Sequence, residues 1–234
     1  MKVFAISDFH LSINNPKPMD IFGDVWNNYL DEISSFWQQN VTNDDVVLIA
    51  GDISWAMKMD AVVPDLEYLS GYVGKKILLR GNHDYWWHSI SALRKILPPD
   101  MYAVQNDCLR IGNLLVCGSR GWVTPEVKTF SDEDQKIYDR ELIRLKLSLD
   151  QMKAQRKDDD KVVVMMHFPP FNSKFDSSPF TELIASYKPD KVVYGHLHGK
   201  NAKVKSKVTV DGIEYLLTSC DLVGNKPVLV LDEV

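Results

Sequence analysis

Side chains that can bind metal ions follow five short apolar segments of this sequence. Each segment is typical of a buried β-strand, and each ends in a carboxylate, an amide or an imidazole. These residues are Asp8 with His10, Asp52, Asn82 with His83, His167, and His196 with His198, which include five of the six histidines in the chain. In open α/β sheets ligands bind at the carboxyl ends of strands. Five strand ends that all carry a metal-competent residue therefore predict one shared site.

The segment Gly81-Asn82-His83-Asp84 shows how such an end is built. The glycine allows the backbone to turn directly after the apolar run 77–79, so that three polar side chains emerge together. Taken alone, this tetrapeptide is equally compatible with a capped turn that has no function. Asp8 and His10 are two residues apart, so in an extended segment their side chains point the same way. A lone pair of this kind is also compatible with a turn carboxylate and an exposed histidine.

Oxygen and imidazole ligands without a cysteine favour divalent manganese, iron or zinc. The convergent residues are too many for one ion. We therefore expect two ions roughly 3.5–4 Å apart with a carboxylate between them.

The composition is that of an ordinary globular protein. The chain has 234 residues, 45% of them hydrophobic, and a net charge of −5, which argues against binding to nucleic acid or to an anionic membrane by bulk attraction. The three widely spaced cysteines do not form a disulfide framework, and no apolar run reaches the roughly 18 residues of a membrane span. We expect one cytoplasmic domain over residues 1–234, without a signal peptide, a membrane span or a nucleic-acid groove.

Several helices must position these strands. The apolar spacing predicts a helix over 21–39, and a second helix with apolar positions from Val62 to Val73, for which Ser54 is a candidate cap. A short helix is predicted to end at Leu97. Ser131 opens the clearest helix, with an acidic first turn, and Ser178-Pro179 begins another that runs to about Tyr187.

The later part of the chain has a β pattern. Segments 101–105, 108–111 and 114–119 are predicted strands, and Gly112-Asn113 is typical of a two-residue hairpin turn. That turn places Cys108 opposite Cys117, and we expect neighbouring but reduced thiols. Alternating residues from Val204 onward, a turn at 211–212 and a final segment 228–231 predict further strands.

The ordered motifs Asp8-x-His10, Gly51-Asp52, Gly81-Asn82-His83-Asp84, His167 and Gly195-His196-x-His198 resemble those of the calcineurin-like metallophosphoesterase superfamily. The resemblance spans residues 8–198. It implies an α/β (α+β) fold, a four-layer α-β-β-α sandwich in which helices flank two mixed β-sheets that pack face to face, with a dinuclear metal site at the strand carboxyl ends.

The resemblance also implies two sets of metal ligands. One ion would be held by Asp8, His10, Asp52 and His198, and the other by Asp52, Asn82, His167 and His196, so that Asp52 bridges them. The implied enzyme is a metal-dependent phosphoester hydrolase in which a metal-bridging hydroxide attacks phosphorus in line. His83 is expected beside the site as a proton donor to the leaving oxygen, with Asp84 orienting it and favouring its protonated form.

Substrate contacts are less constrained by the sequence. Arg120, in a loop after a predicted strand, is a candidate phosphate clamp or a solvated arginine, and Asn172 is a second candidate contact. Trp86 and Trp87 are expected to be core residues rather than a stacking wall. Without a capping domain or a basic groove, a small phosphodiesterase acting on a nucleotide-type substrate is the first expectation. A phosphomonoesterase or phosphoprotein phosphatase is the second, and a non-catalytic binding scaffold is the third.

Overall fold

Two β-sheets form the centre of the molecule, as seen in a computed structural model that describes residues 1–125, 130–199 and 204–234. The first sheet contains β1 (Val3–Ile6), β2 (Val46–Ile49), β3 (Lys75–Leu79), β4 (Met101–Val104) and β11 (Val228–Leu231), in the order β11-β1-β2-β3-β4. The second contains β5 (Cys108–Ile111), β6 (Leu114–Ser119), β7 (Lys161–Met166), β8 (Lys191–Tyr194), β9 (Lys207–Val210) and β10 (Ile213–Leu217), in the order β5-β6-β7-β8-β10-β9. Both sheets are mixed, with parallel central strands and an antiparallel strand at one or both edges.

Within the described ranges, five α-helices cover the outer faces of these sheets. They are α1 (Tyr29–Asn40), α2 (Val63–Ser70), α3 (Ile90–Ile96), α4 (Asp132–Gln155) and α5 (Pro179–Tyr187). The first three pack on the first sheet through residues such as Ile33 and Leu66, and the other two pack on the second sheet through residues such as Leu145 and Ile184. The four-layer α-β-β-α arrangement implied by the sequence motifs is therefore confirmed.

Alternation along each strand explains the layers. In β1, Phe4 and Ile6 face the helices, whereas Val3 and Ala5 face the second sheet, because successive side chains of a strand point to opposite faces. The central strands are buried on both faces, which is why their sequences are continuously apolar.

The first two predicted helices are shorter than the sequence suggested. Residues 20–26 form two 3₁₀ turns, Asp20–Phe22 and Asp24–Trp26, and the α-helix begins only at Tyr29. Gly23 lies between the turns with φ 128°, a conformation that breaks the helix, and Phe22 is left exposed. Ser54 does not cap the next helix, which begins at Val63. Its hydroxyl donates to Asp65 and accepts from the backbone N–H of Ala56.

The predicted caps and turns in the second half of the chain are confirmed. Ser131 and Asp134 form a capping box at the start of α4, and Ser178 caps α5. The two-residue turn aligns Cys108 with Cys117, and both cysteines are free.

The two sheets meet where their parallel strands end. Ser7, directly after β1, forms a parallel bridge to Ser219, and its backbone N–H donates to the carbonyl of Thr218 at 2.9 Å. The carboxyl ends of β1, β2 and β3 therefore lie beside those of β7 and β8. All five of the metal-competent strand ends belong to this common edge.

Candidate metal centre

Two clusters of metal-competent side chains lie at the common edge. Asp8, His10 and His198 form one cluster, and Asp52, His167 and His196 form the other. Within each cluster every residue offers one ligand atom, and these atoms lie within 4.8 Å of one another. We call them the first and the second cluster.

Asp52 belongs to the second cluster and also faces the first. Its Oδ1 is 3.5 Å from Nε2 of His167 in the second cluster, and its Oδ2 is 3.8 Å from Nε2 of His10 in the first. The backbone N–H of His83 donates to Oδ1 at 2.8 Å and holds the carboxylate in this orientation. One buried carboxylate thus presents one oxygen to each cluster.

Asn82 belongs to the second cluster, although it carries no charge. Its Oδ1 is 2.7 Å from Nε2 of His167 and 2.8 Å from Nδ1 of His196. An amide oxygen and two imidazole nitrogens that converge in this way form a donor set suited to a divalent transition metal.

The backbone is unusual at four of these residues. Asp8, His10, Asp52 and His196 are in the left-handed region, with φ of 63°, 48°, 51° and 70°. Such conformations are disfavoured for residues with a Cβ and tend to be retained at functional sites. They turn the chain sharply after β1, β2 and β8, so that the side chains point toward one another.

Two glycines allow the loops to pack this closely. A Cβ at Gly81 would lie 2.1 Å from Oδ1 of Asp52, and a Cβ at Gly195 would lie 2.6 Å from Oδ2 of Asp8. Any side chain at either position would displace a carboxylate of the site.

The outer ring nitrogens of two histidines have fixed partners. Nδ1 of His167 lies 2.9 Å from the carbonyl oxygen of Ala50, and Nδ1 of His198 lies 2.9 Å from Oδ1 of Asp221. Such partners orient a ligating imidazole and leave Nε2 available for a metal. Asp221 was not among the residues predicted from the sequence. It follows β10, a strand whose end carries no histidine, so the pattern of the other strand ends did not indicate it.

Electrostatic effects at the site follow from burial and from close opposite charges. Burial would raise the pKa of the Asp8 carboxyl, but the hydrogen bond with His198 and the nearby imidazoles hold that pKa well below its usual range. Burial would likewise lower the pKa values of His167 and His198, but the carboxylates raise them to about 9 and about 10. Burial lowers the pKa of His10 and of His196 to about 4. The carboxylates therefore create a negative potential that favours cations.

The residues present fit two divalent cations. The donors are oxygens and imidazole nitrogens, they are mostly buried, and Nδ1 of His10 is buried without a hydrogen-bond partner among the described residues. The first ion would be held by Asp8, His10, Asp52 and His198, and the second by Asp52, Asn82, His167 and His196.

His83 lies at the rim of this centre. Its Nε2 is 4.0 Å from Oδ2 of Asp52, its side chain is 37% exposed, and its ring packs against Trp55 at 4.8 Å between centroids. An imidazole that is close to the clusters yet open to solvent can reach a bound substrate.

The contacts of Asp84 do not support its expected role of orienting His83. Its carboxylate is completely buried and accepts hydrogen bonds from the backbone N–H groups of Ile53, Ser54 and Gly81 and from Nε1 of Trp86. No hydrogen bond from His83 to this carboxylate occurs in the structure. Asp84 instead ties the loop after β2 to the loop after β3. Burial and the nearby Asp52 charge raise its pKa to about 6.

The other predicted residues divide between the site and the scaffold. Arg120 lines a cavity next to Asn82 and His196. Asn172 binds its own loop, since its Oδ1 accepts from the N–H groups of Lys174 and Asp176. The expected contact of Asn172 with substrate is therefore not supported by its position. Trp86 and Trp87 are buried core residues, as predicted.

Comparisons with known proteins agree with this arrangement. A family model described as calcineurin-like phosphoesterase matches residues 1–200. No curated protein gave a significant sequence match. Among solved structures, a phosphopantetheinyl hydrolase from Mycobacterium tuberculosis has a TM-score of 0.54 and 15% identity, over 93% of this chain and 88% of that one. A protein of unknown function from Aquifex aeolicus has a TM-score of 0.50 and 13% identity, over 97% and 94% of the two chains. At these identities the two structures establish a similar fold only.

We expect the folded protein to bind two metal ions per chain. Asp52→Asn should weaken both sites, because the substitution removes charge from the carboxylate that faces both clusters. His10→Ala should weaken mainly the first site. Elemental analysis after dialysis tests this, and a single ion per chain in a saturated, active sample would contradict it.

Metal binding should release protons at neutral pH. Below their raised pKa values of about 9 and about 10, His167 and His198 carry a proton in the metal-free protein, whereas a metal ligand must be neutral. Metal affinity should therefore rise as the pH increases from 6 toward about 9. Calorimetric titration in buffers of different ionisation enthalpy measures the released protons, and binding at pH 7 with no release would refute the expectation.

Proposed function

We propose that this chain, which belongs to the calcineurin-like phosphoesterase family, is a phosphodiesterase that acts on a small nucleotide-type substrate. Membership of the family makes the chain a metal-dependent hydrolase of phosphoester bonds. The proposal concerns the substrate, the assignment of the ligands described above and the role of His83.

The observation that carries the proposal is a cavity that opens on the second cluster, together with a second cavity beside Trp55. The first cavity, of about 500 Å³, is lined by residues that include Arg80, Asn82, Arg120, Trp122, Phe168 and His196. The second, of about 310 Å³, is lined by residues that include Ile13, Lys17, Trp55, Met57 and Lys58; none of the candidate ligands lines it, and it is connected to the first cluster through Trp55, whose ring stacks on His10. A phosphodiester has two substituents on its phosphorus. The cavity at the second cluster can accept one of them, and the surface around Trp55 offers a place for the other.

The chemical character of the cavities supports a nucleotide-type substrate. Trp55 stacks on His10 with ring centroids 4.6 Å apart, and Nζ of Lys17 lies 5.0 Å from the Trp55 ring. Aromatic and cationic groups together suit a flat heterocycle and an anionic linkage. The opposite cavity combines two arginines with the aromatic rings of Trp122 and Phe168.

Each part of the chain then has a distinct role. Two divalent cations, when bound, supply positive charge for the phosphate oxygens and acidify a water molecule. Asp8, Asp52, Asn82 and the histidines of both clusters hold that charge in place. His83, at the rim, donates a proton to the leaving oxygen. Asp84 contributes indirectly, since it holds the loop that carries Asn82 and His83.

We further propose that residues 1–234 form one domain in the cytoplasm. The first and last strands, β1 and β11, pair in the same sheet, so the chain ends share one core. The facing cysteines at 108 and 117 are free, which fits a compartment that keeps thiols reduced. Separately, none of the helices in the described residues is both long and apolar enough to span a membrane.

The proposal predicts a preference for diesters. With manganese added, kcat/KM for bis(p-nitrophenyl) phosphate should exceed that for p-nitrophenyl phosphate by about tenfold or more, because the second aromatic substituent adds binding energy on the order of 1.4 kcal/mol or more. The reverse preference would identify a phosphomonoesterase. Hydrolysis of neither ester with both metal sites filled would favour a binding scaffold.

His83→Asn should lower the rate and leave the metal content unchanged. The expected loss is roughly 10²–10⁴-fold for an alkyl leaving group, which needs a proton, and smaller for nitrophenolate, which departs without one. Asp84→Asn provides the contrast. This substitution should lower the thermal stability, because an amide nitrogen then faces backbone N–H donors. Any loss of rate that it causes should be the same for alkyl and nitrophenolate leaving groups. An equal deficit of His83→Asn on all leaving groups would show that His83 is not the acid.

A further inference from the structure

We propose that Arg80 and Arg120 bind a second phosphate group of the substrate, next to the metal centre on the side of the second cluster. This inference rests on the proposed function and narrows it. The substrate class becomes a phosphoester that carries another phosphate near the scissile one.

The two arginines reach one cavity from different sheets. Arg80 follows β3 in the first sheet, directly before Gly81, and Arg120 follows β6 in the second sheet. Both line the cavity of about 500 Å³, together with Asn82 and His196 of the second cluster. A group held between the arginines would therefore lie next to a phosphate held by the metal centre.

Both guanidinium groups have N–H donors without acceptors. The Nε atoms of Arg80 and Arg120 are buried with no hydrogen-bond partner among the described residues. Across the same residues, the Arg80 side chain has no ion pair, and Arg120 has only Glu141, with Nη2 3.4 Å from Oε1. Buried N–H donors without acceptors cost free energy, so neither guanidinium is fully satisfied by the surrounding protein, and both can gain hydrogen bonds from an anion in the cavity.

The nearby carboxylates are already engaged. Glu141 binds Nη1 of Arg144 at 2.6 Å and accepts from the hydroxyl of Ser119 at 2.6 Å. Asp134, which also lines the cavity, accepts from Nε1 of Trp122 at 2.9 Å and serves the capping box of α4. The two arginines therefore present positive charge to the cavity that these acidic groups do not fully neutralise.

The geometry favours phosphate over a simpler anion. A guanidinium group offers several N–H donors in one plane. Two guanidinium groups that approach from different directions match the three free oxygens of a phosphate monoester group better than they match the two oxygens of a carboxylate. The Arg120 guanidinium also lies 4.8 Å from the centroid of the Trp122 ring, which limits its orientations before a ligand binds.

Three nucleotides test the proposal without turnover. Adenosine 5′-monophosphate has one phosphate, adenosine 5′-diphosphate has the second directly attached, and adenosine 3′,5′-bisphosphate has it on the sugar. We expect at least one doubly phosphorylated ligand to bind the metal-loaded protein about 10- to 100-fold more tightly than the monophosphate, as measured by calorimetry. Which one gains affinity tells whether the second phosphate is attached directly or through the sugar.

Variants then show whether the arginines cause this gain in affinity. Arg80→Ala should abolish the gain, and Arg120→Ala should reduce it. Arg80→Lys should retain part of the gain that Arg80→Ala loses. Arg140→Ala is the matched control, because Arg140 is an exposed arginine on α4 that pairs with Glu133 and does not line the cavity. Its loss of one charge should leave the gain intact. Metal content and melting temperature, measured for each variant, verify that the fold and the centre are preserved.

Three results would overturn the proposal. The second phosphate could add no affinity to the wild-type protein, or its gain could survive Arg80→Ala, in which case the metal ions hold it. Alternatively, Arg80→Ala could weaken the monophosphate as much as the other ligands, which would place Arg80 on the scissile phosphate. Because these are equilibrium measurements, a failure to hydrolyse diesters would refute the proposed function without deciding this test.

Discussion

The position of the Asp52 carboxylate between the two clusters is the constraint on which the rest of the site depends. One oxygen faces His167 from the second sheet, and the other faces His10 from the first. This arrangement is possible only if the carboxyl edges of both sheets are side by side. The contacts of Ser7 with the segment after β10, and of His167 with the carbonyl of Ala50, hold the edges there.

The same constraint explains the local strain. A backbone that stayed extended after a parallel strand would carry the following residues along the strand axis and point their side chains to alternate faces of the sheet. Left-handed turns at Asp8, Asp52 and His196 redirect the side chains toward one another, and the glycines at 81 and 195 leave room for the carboxylates. The large apolar core between the sheets stabilises these turns, because the strands cannot shift without exposing it.

Charge then gives the site its chemistry. Two buried carboxylates raise the proton affinity of His167 and His198, and Asp221 adds a third negative group on the outer side of His198. A pair of divalent cations would balance this charge better than protons, since each cation carries two charges. On one flank of the centre, Arg80 and Arg120 provide the opposite potential, which suits an anionic substrate that must approach the site.

Much of this architecture could be predicted from the sequence. Continuous apolar runs identified the buried strands, and the polar residues after them indicated the side chains that meet in the two clusters, because strand ends and sheet edges are encoded locally. Side-chain direction after a turn is not encoded in this way. Asp84 is adjacent to His83 in the chain, yet its carboxylate points into the core and binds backbone donors. Asn172 likewise turns into its own loop, and Asp221 became recognisable only when its distance to His198 was known.

The most direct test of the central claim is the electron paramagnetic resonance spectrum of the protein loaded with two manganese(II) ions per chain. If both ions share Asp52, they lie roughly 3.5–4 Å apart and their spins are coupled, so the account predicts the multiline spectrum of an interacting pair. Asp52→Asn should weaken that coupling at equal occupancy. The six-line spectrum of isolated manganese ions in the fully loaded wild-type protein would show that the clusters are separate sites and would contradict the account.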